Sequence, residues 1–210
     1  MTKTITKILA LVLMLALASQ VNVAHAEDEA IDVINGAVDA VKEGLAGQRE
    51  TFMNDEAALV EFVDGLLAPR FDRNYAGRLV LARHWRKATK EQKRRFIDGF
   101  YQTMLKRYAT GILEFQGDQI EVLPARGEQK GNRATVRTVV TLDNGEDVPV
   151  NYGLVNRGDN GWKVYDVTIE GISYIRNFRT ELDSEIKKTS LDAVIERFER
   201  EAGSGGDVEG

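Results

Sequence analysis

The spacing of apolar residues changes at Gly117, and that change decides the class of fold. Before it the steps are three and four: Ile31, Ile34, Val38, Val41 and Leu45, then Leu59, Phe62, Val63, Leu66 and Leu67. Those are the stripes of amphipathic helices. After Gly117 the step is two. Ile120 and Val122 open a strand, Ala134, Val136, Thr138, Val140 and Leu142 form the next, and Val148, Val150, Tyr152 and Leu154 follow. Trp162, Val164, Val167 and Ile169 make the last. Asn144-Gly145 is a hairpin signal, and Gly158-Asp159-Asn160-Gly161 is a second turn. Four strands joined by short turns predict an antiparallel meander, and helices ahead of a sheet predict an α+β class.

The helical half has its own punctuation. Gly47 ends the first helix, Asn54 is a candidate cap for the second, and Pro69 stops it or starts a short turn. A third helix is expected over Asn74–Trp85, although Gly77 inside it costs about 1 kcal/mol relative to alanine. A close backbone contact would justify that cost. Thr89 and Gln92 read as a capping box for the longest helix, whose stripe is Phe96, Ile97, Phe100, Met104, Tyr108 and Ile112. Two helices are expected after the sheet, Ile172–Ile186 and Leu191–Glu201, the latter with Ser190 as its cap.

One feature does not suit a sheet buried on one face. Val139 and Val155, like Val167 and Ile169, break strict alternation. Both faces are then partly covered, and a curved sheet wrapped by helices, with an apolar cavity inside, meets that requirement.

The ends of the chain are read separately. Lys3 and Lys7 precede the apolar run Ile8–Ala18, and Ala24-His25-Ala26 follows. This is the pattern of a secretory signal peptide, residues 1–26, cleaved after Ala26. The run is shorter than the roughly 20 residues of a bilayer span. A single domain is expected over 27–202, with helices at 29–114, the sheet at 117–170 and C-terminal helices at 172–201. Residues 203–210, rich in glycine and acids, read as a disordered tail.

Composition closes several classes of chemistry. The net charge of −5 falls further once two leader lysines are lost, which speaks against a nucleic-acid binder. The absence of cysteine removes disulfides, thiol catalysis and thiolate metal sites. His25 leaves with the leader, and His84 alone cannot supply a zinc site. No G-x-S-x-G and no phosphate-cradling Gly-x-x-x-x-Gly-Lys is present. No cofactor is expected. Two charged features stay open. Arg83, Arg86, Lys87, Lys90, Lys93, Arg94 and Arg95 are either a solvated face or a surface that steers toward an acidic partner or anionic head groups. Asp166, an acid within an apolar strand, either accepts backbone or tyrosine hydrogen bonds or serves as a general base.

Two blocks carry a family likeness. The first is Tyr75-Ala76-Gly77-Arg78-x-Val80-Leu81, followed by Trp85-Arg86-x-Ala88-Thr89-x-Glu91-Gln92 and by Phe96, Phe100 and Tyr108. The second is Gly161-Trp162-Lys163-Val164-Tyr165-Asp166-Val167-x-Ile169-Glu170-Gly171-Ile172-Ser173. Together, and in this order, they resemble the MlaC/toluene-tolerance family of periplasmic phospholipid-binding proteins, over about residues 29–201. The resemblance implies a nuclear-transport-factor-2-like cone with acyl tails held between sheet and helices. It implies a periplasmic location and a shuttle of phospholipid between an outer-membrane lipoprotein–porin complex and an inner-membrane ABC transporter complex with a substrate-binding subunit, which maintains lipid asymmetry. Phospholipid would be cargo, and the protein would not be an enzyme. Rival readings are a carrier of hopanoid or another apolar lipid, an isomerase-like enzyme using Asp166, and an adaptor without ligand.

The physics of a carrier agrees with so little reactive chemistry. Burial is worth about 0.8 kcal/mol per methylene, so a tail of about 16 carbons carries on the order of 10 kcal/mol. An apolar slot is enough. The residues expected to line it are Leu81, Trp85, Phe100, Met104 and Tyr108 from the helices, and Val140, Tyr152, Leu154 and Val164 from the sheet. Ile172 is singled out because the resemblance places an aliphatic residue against the lipid there.

Overall fold

The computed structural model of the chain describes residues 28–114, 119–126, 129–142 and 144–203. The expected leader lies outside them, as does the expected tail apart from Gly203, which closes the last helix.

The helical half opens with α1 over 28–45, and short α2 (Arg49–Asn54) leads into α3 (Glu56–Leu67). The cap of α3 is Asp55, not Asn54. Asp55 takes an extended backbone and accepts from the Ala58 amide at 2.9 Å, while the Asn54 side chain turns back to the Glu50 carbonyl. Asp72 caps α4 (Arg73–Leu81). The expected run to Trp85 stops early because Ala82 adopts φ 45°, and a single 3-10 turn, His84–Arg86, replaces the last helical turn. The capping box of Thr89 and Gln92 opens α5 (Lys90–Ala109), as expected. A 3-10 segment, Thr110–Glu114, follows.

The sheet is an antiparallel meander in chain order: β1 (Ile120–Val122), β2 (Arg133–Thr141), β3 (Asp147–Asn156), β4 (Trp162–Ile169) and β5 (Ile172–Ser173). The expected hairpin at Asn144-Gly145 joins β2 to β3. The sheet has five strands rather than four. Glu170 (φ 49°) and Gly171 (φ 81°) form a two-residue turn that folds Ile172 back onto Ile169. Two residues are too few to register as periodicity. The helix expected from Ile172 therefore starts at Tyr174, as α6 (Tyr174–Lys188), with the Ser173 hydroxyl accepting from the Arg176 amide. Ser190 caps α7 (Leu191–Gly203) as expected.

Helices and sheet pack through three apolar clusters. In one, α4, α5, α6 and α7 bring Phe96, Phe100, Phe178 and Phe198 together, largely edge to face. Gly77 lets α4 sit on α5, since a Cβ there would lie 2.9 Å from Ile97 Cγ1. A second cluster lays Ala30 and Ile34 of α1 on Ala134, Val136, Leu154, Trp162 and Val164. The third joins Leu59 and Val63 of α3 to Tyr101, Leu105 and Ala109 of α5. The connector Arg70–Asp72 runs along β4, exchanging backbone hydrogen bonds of 2.8 Å with both sides of Val164.

Candidate functional site

Where these clusters face one another they leave an apolar cavity of about 450 Å³. Its wall comes from α1 (Val33, Ala37, Val41), the end of α3 (Leu66, Leu67), α5 (Phe100, Met104, Tyr108), β3 and β4 (Tyr152, Val164, Val167, Ile169) and α6 (Tyr174, Ile175, Phe178). No single stripe could enclose it. α1 and α5 each give residues both to the core clusters and to the void.

A bulge in β4 explains how so much of that strand faces the cavity. Leu154 pairs with Val164 and Gly153 with Asp166, so Tyr165 is an extra residue. Alternation restarts one position late, which puts Val167 opposite Tyr152 and Ile169 opposite Val150, on the same side as Val164. The break in alternation at Val167 and Ile169 is this bulge rather than a second covered face. A side chain at Gly153 would meet the Tyr165 ring at 3.1 Å, so glycine there leaves room for the bulged tyrosine.

Three charged residues line the void: Arg70, Arg73 and Asp166. Asp166 is committed to architecture. One carboxylate oxygen accepts from the Ser173 hydroxyl at 2.6 Å and the other from the Ile175 amide at 3.1 Å, which ties β4 to the first turn of α6. Its partners are thus a backbone amide and a serine, with no tyrosine among them. The guanidinium of Arg70 donates to the carbonyls of Leu66 and Gly36, bracing α3 against α1. Arg73 is exposed, with its guanidinium 4.6 Å from the centre of the Tyr101 ring.

Five of the six tyrosines line the cavity. Burial pushes the Tyr101 hydroxyl well above its ordinary range, and donation to Asp64 at 2.6 Å adds to this. Burial also raises Tyr152 and Tyr165. All three are un-ionised at neutral pH. Among the described residues no cluster of His, Cys, Asp and Glu could hold a metal ion.

The residues expected to line a cavity divide. Phe100, Met104, Tyr108, Tyr152 and Val164 do line it. Leu81 is packed inside the helix cluster, and Trp85 rests on that cluster under the Lys93 ammonium. Leu154 is wholly buried beneath α1. Val140 pairs with Ile120 and Val148, four residues along β2 from the Val136–Tyr152 pair. Ile172 is 63% exposed, because the Glu170-Gly171 turn carries it to a hairpin tip instead of into α6. The contribution of α1 went unforeseen, as did Arg70, Arg73 and the tyrosines at 101, 165 and 174. The slip in β4 periodicity was the one available signal.

The basic stretch is largely engaged. Arg94 pairs with Glu91 and Asp98, Arg95 forks onto Glu199, and Arg83 pairs with Asp183. Arg86 and Lys87 remain exposed beside His84 and Lys187, around a shallow basic depression.

Comparison with known proteins gives this architecture relatives. A toluene tolerance protein, ttg2D, of Pseudomonas putida is 30% identical over 162 residues, 77% of this chain and 74% of the relative. The intermembrane phospholipid transport system binding protein MlaC of Haemophilus influenzae is 22% identical over 181 residues, 85% of each chain. The phospholipid-binding protein of Ralstonia solanacearum, solved in complex with a phospholipid, shares the fold with a TM-score of 0.74 at 24% identity. That match covers 83% of this chain and 97% of the other. The sequence model described as MlaC protein matches residues 35–200, most of the helices and the whole sheet, and the chain belongs to the MlaC family.

Proposed function

We propose that this protein is a periplasmic phospholipid carrier, which holds acyl tails in the apolar cavity and moves lipid between membrane complexes. The cavity carries the proposal. It is walled by aliphatic and aromatic side chains, and two of its three charged residues are tied up in structural hydrogen bonds. Such a space takes hydrocarbon and offers it little directional chemistry, so selectivity among tails is loose. Its volume lies within the usual range of ligand pockets. A relative named for intermembrane phospholipid transport and a fold neighbour that holds a phospholipid support the same reading. The partners proposed are an outer-membrane lipoprotein–porin complex and an inner-membrane ABC transporter complex with a substrate-binding subunit.

A carrier role also accords with Asp166. Each of its oxygens accepts a hydrogen bond that holds α6, a structural use of the carboxylate that supports the carrier over an isomerase-like enzyme. The test is native mass spectrometry of the purified protein, followed by extraction and identification of what it holds. Phospholipid in near-stoichiometric amount is expected. A hopanoid would keep the cavity and change the cargo. Empty protein that takes up no lipid from vesicles would refute the carrier.

A further inference from the structure

We infer that Arg73 is the phosphate-binding residue of the cavity, the single cation that meets the phosphodiester of a bound lipid. This rests on the carrier reading above and assigns its polar end. The three charges that line the cavity are not equivalent. Asp166 has the wrong sign, and both its oxygens are in use. Arg70 has the right sign, but its terminal nitrogens donate to the carbonyls of Leu66 and Gly36. Arg73 forms no ion pair among the described residues, and it is the lining charge that is also exposed to solvent.

Its setting suits a phosphate. The guanidinium lies over the face of Tyr101, which fixes the side chain through the ring and leaves the N–H edge free. That edge is a planar fork that matches two phosphate oxygens. The Tyr101 hydroxyl is held in turn by Asp64, to which it donates at 2.6 Å, so the ring under the guanidinium is fixed. The residue thus joins hydrocarbon to water: its neighbours in the wall are apolar, and its charge is outside. Tails placed in the cavity leave the first charged group of the lipid, the phosphate just beyond its glycerol esters, at the boundary where Arg73 stands.

The test compares two lipids that share their tails. Delipidated protein is offered mixed vesicles containing phosphatidylglycerol and diacylglycerol with identical acyl chains, and native mass spectrometry reads the ratio bound. The wild type should favour the phospholipid by on the order of tenfold, the size of one charge-assisted hydrogen-bonded contact. Arg73→Gln should bring that ratio close to one without reducing diacylglycerol binding. An unchanged ratio in Arg73→Gln overturns the assignment. Should Arg73→Gln fail to fold, Arg73→Met serves, because it keeps an unbranched stem and loses both the charge and the fork. A reduced preference then supports the inference, and a wild-type preference refutes it. Wild type that binds neither lipid would instead refute the carrier reading itself.

Discussion

Gly77 offers a test of the helix packing that closes one side of the cavity. Alanine in place of a helical glycine gains up to about 1 kcal/mol from backbone entropy. Here the new Cβ would sit 2.9 Å from Ile97 Cγ1, inside the 3.4–4 Å of ordinary contact. Ile97 cannot easily yield. It is buried, and it is β-branched and stiff at χ1, so α4 and α5 must move apart. Overpacking of this kind costs about 1–3 kcal/mol. The steric cost outweighs the entropic gain, and Gly77→Ala should lose up to about 2 kcal/mol, a fall of up to about 8 °C in Tm for a domain of this size. Gly65, on the exposed side of α3, supplies the contrast, since a Cβ there meets nothing within 4 Å. Gly65→Ala should stabilise by about 0.5–1 kcal/mol. The assay is thermal and urea unfolding of lipid-free protein, because bound ligand would add its own stabilisation. If Gly77→Ala raises Tm as Gly65→Ala does, close packing is not why glycine stands at position 77.

Three further outcomes are expected. Met104→Trp places a bulky ring in the cavity, and should lower lipid uptake from vesicles at least about tenfold while far-UV circular dichroism stays unchanged. Ile172→Glu, at an exposed hairpin tip, should alter stability by no more than about 0.5 kcal/mol and retain bound lipid, as read by urea unfolding and lipid extraction. Asp183 links the His84 turn to α6, and its contacts with Lys187, His84 and Arg83 hold its carboxyl well below the usual range. A carboxyl with a depressed native pKa stabilises the fold above its unfolded value of about 3.9, and that contribution fades as pH falls toward the native value. The stability gap between wild type and Asp183→Asn should therefore be full at neutral pH and narrow below about pH 4, as followed by urea unfolding across that range.

The fold could be read in the sequence wherever local chemistry decides it. The Thr89–Gln92 capping box, the Ser190 cap and the Asn144-Gly145 hairpin each act over a few residues, and each is where their chemistry puts it. The slip between Val164 and Val167 was visible as well, and it needed a bulge rather than a second buried face to explain it. The end of α4 was hidden because a left-handed alanine leaves no mark in the apolar stripe. Cavity residues were harder still. Leu81 and Phe100 look alike on a helical stripe, yet one packs wholly inside the helix cluster while the other also faces the void. Periodicity marks the apolar side of an element, and which apolar residues meet others and which meet space depends on how several elements converge. Arg73 is the sharper case, since an arginine near a helix start reads from sequence as ordinary surface.

The hydrogen bonds that join the two halves of the helical layer bear on the order of assembly. Arg95 holds Glu199 across 104 positions, Thr103 donates to the Phe198 carbonyl across 95, and Arg179 donates to the Leu79 carbonyl across 100. Contacts so distant along the chain form late, after the neighbouring hairpins of the meander have zipped locally. Until α6 and α7 dock, Phe96 and Phe100 stack only on each other, without Phe178 and Phe198, and the cavity lacks the wall formed by Tyr174, Ile175 and Phe178. A chain halted after Ile169 would thus have its four longest strands in place and nothing yet able to hold hydrocarbon. The last thirty or so residues of the described chain turn a folded sheet into a container.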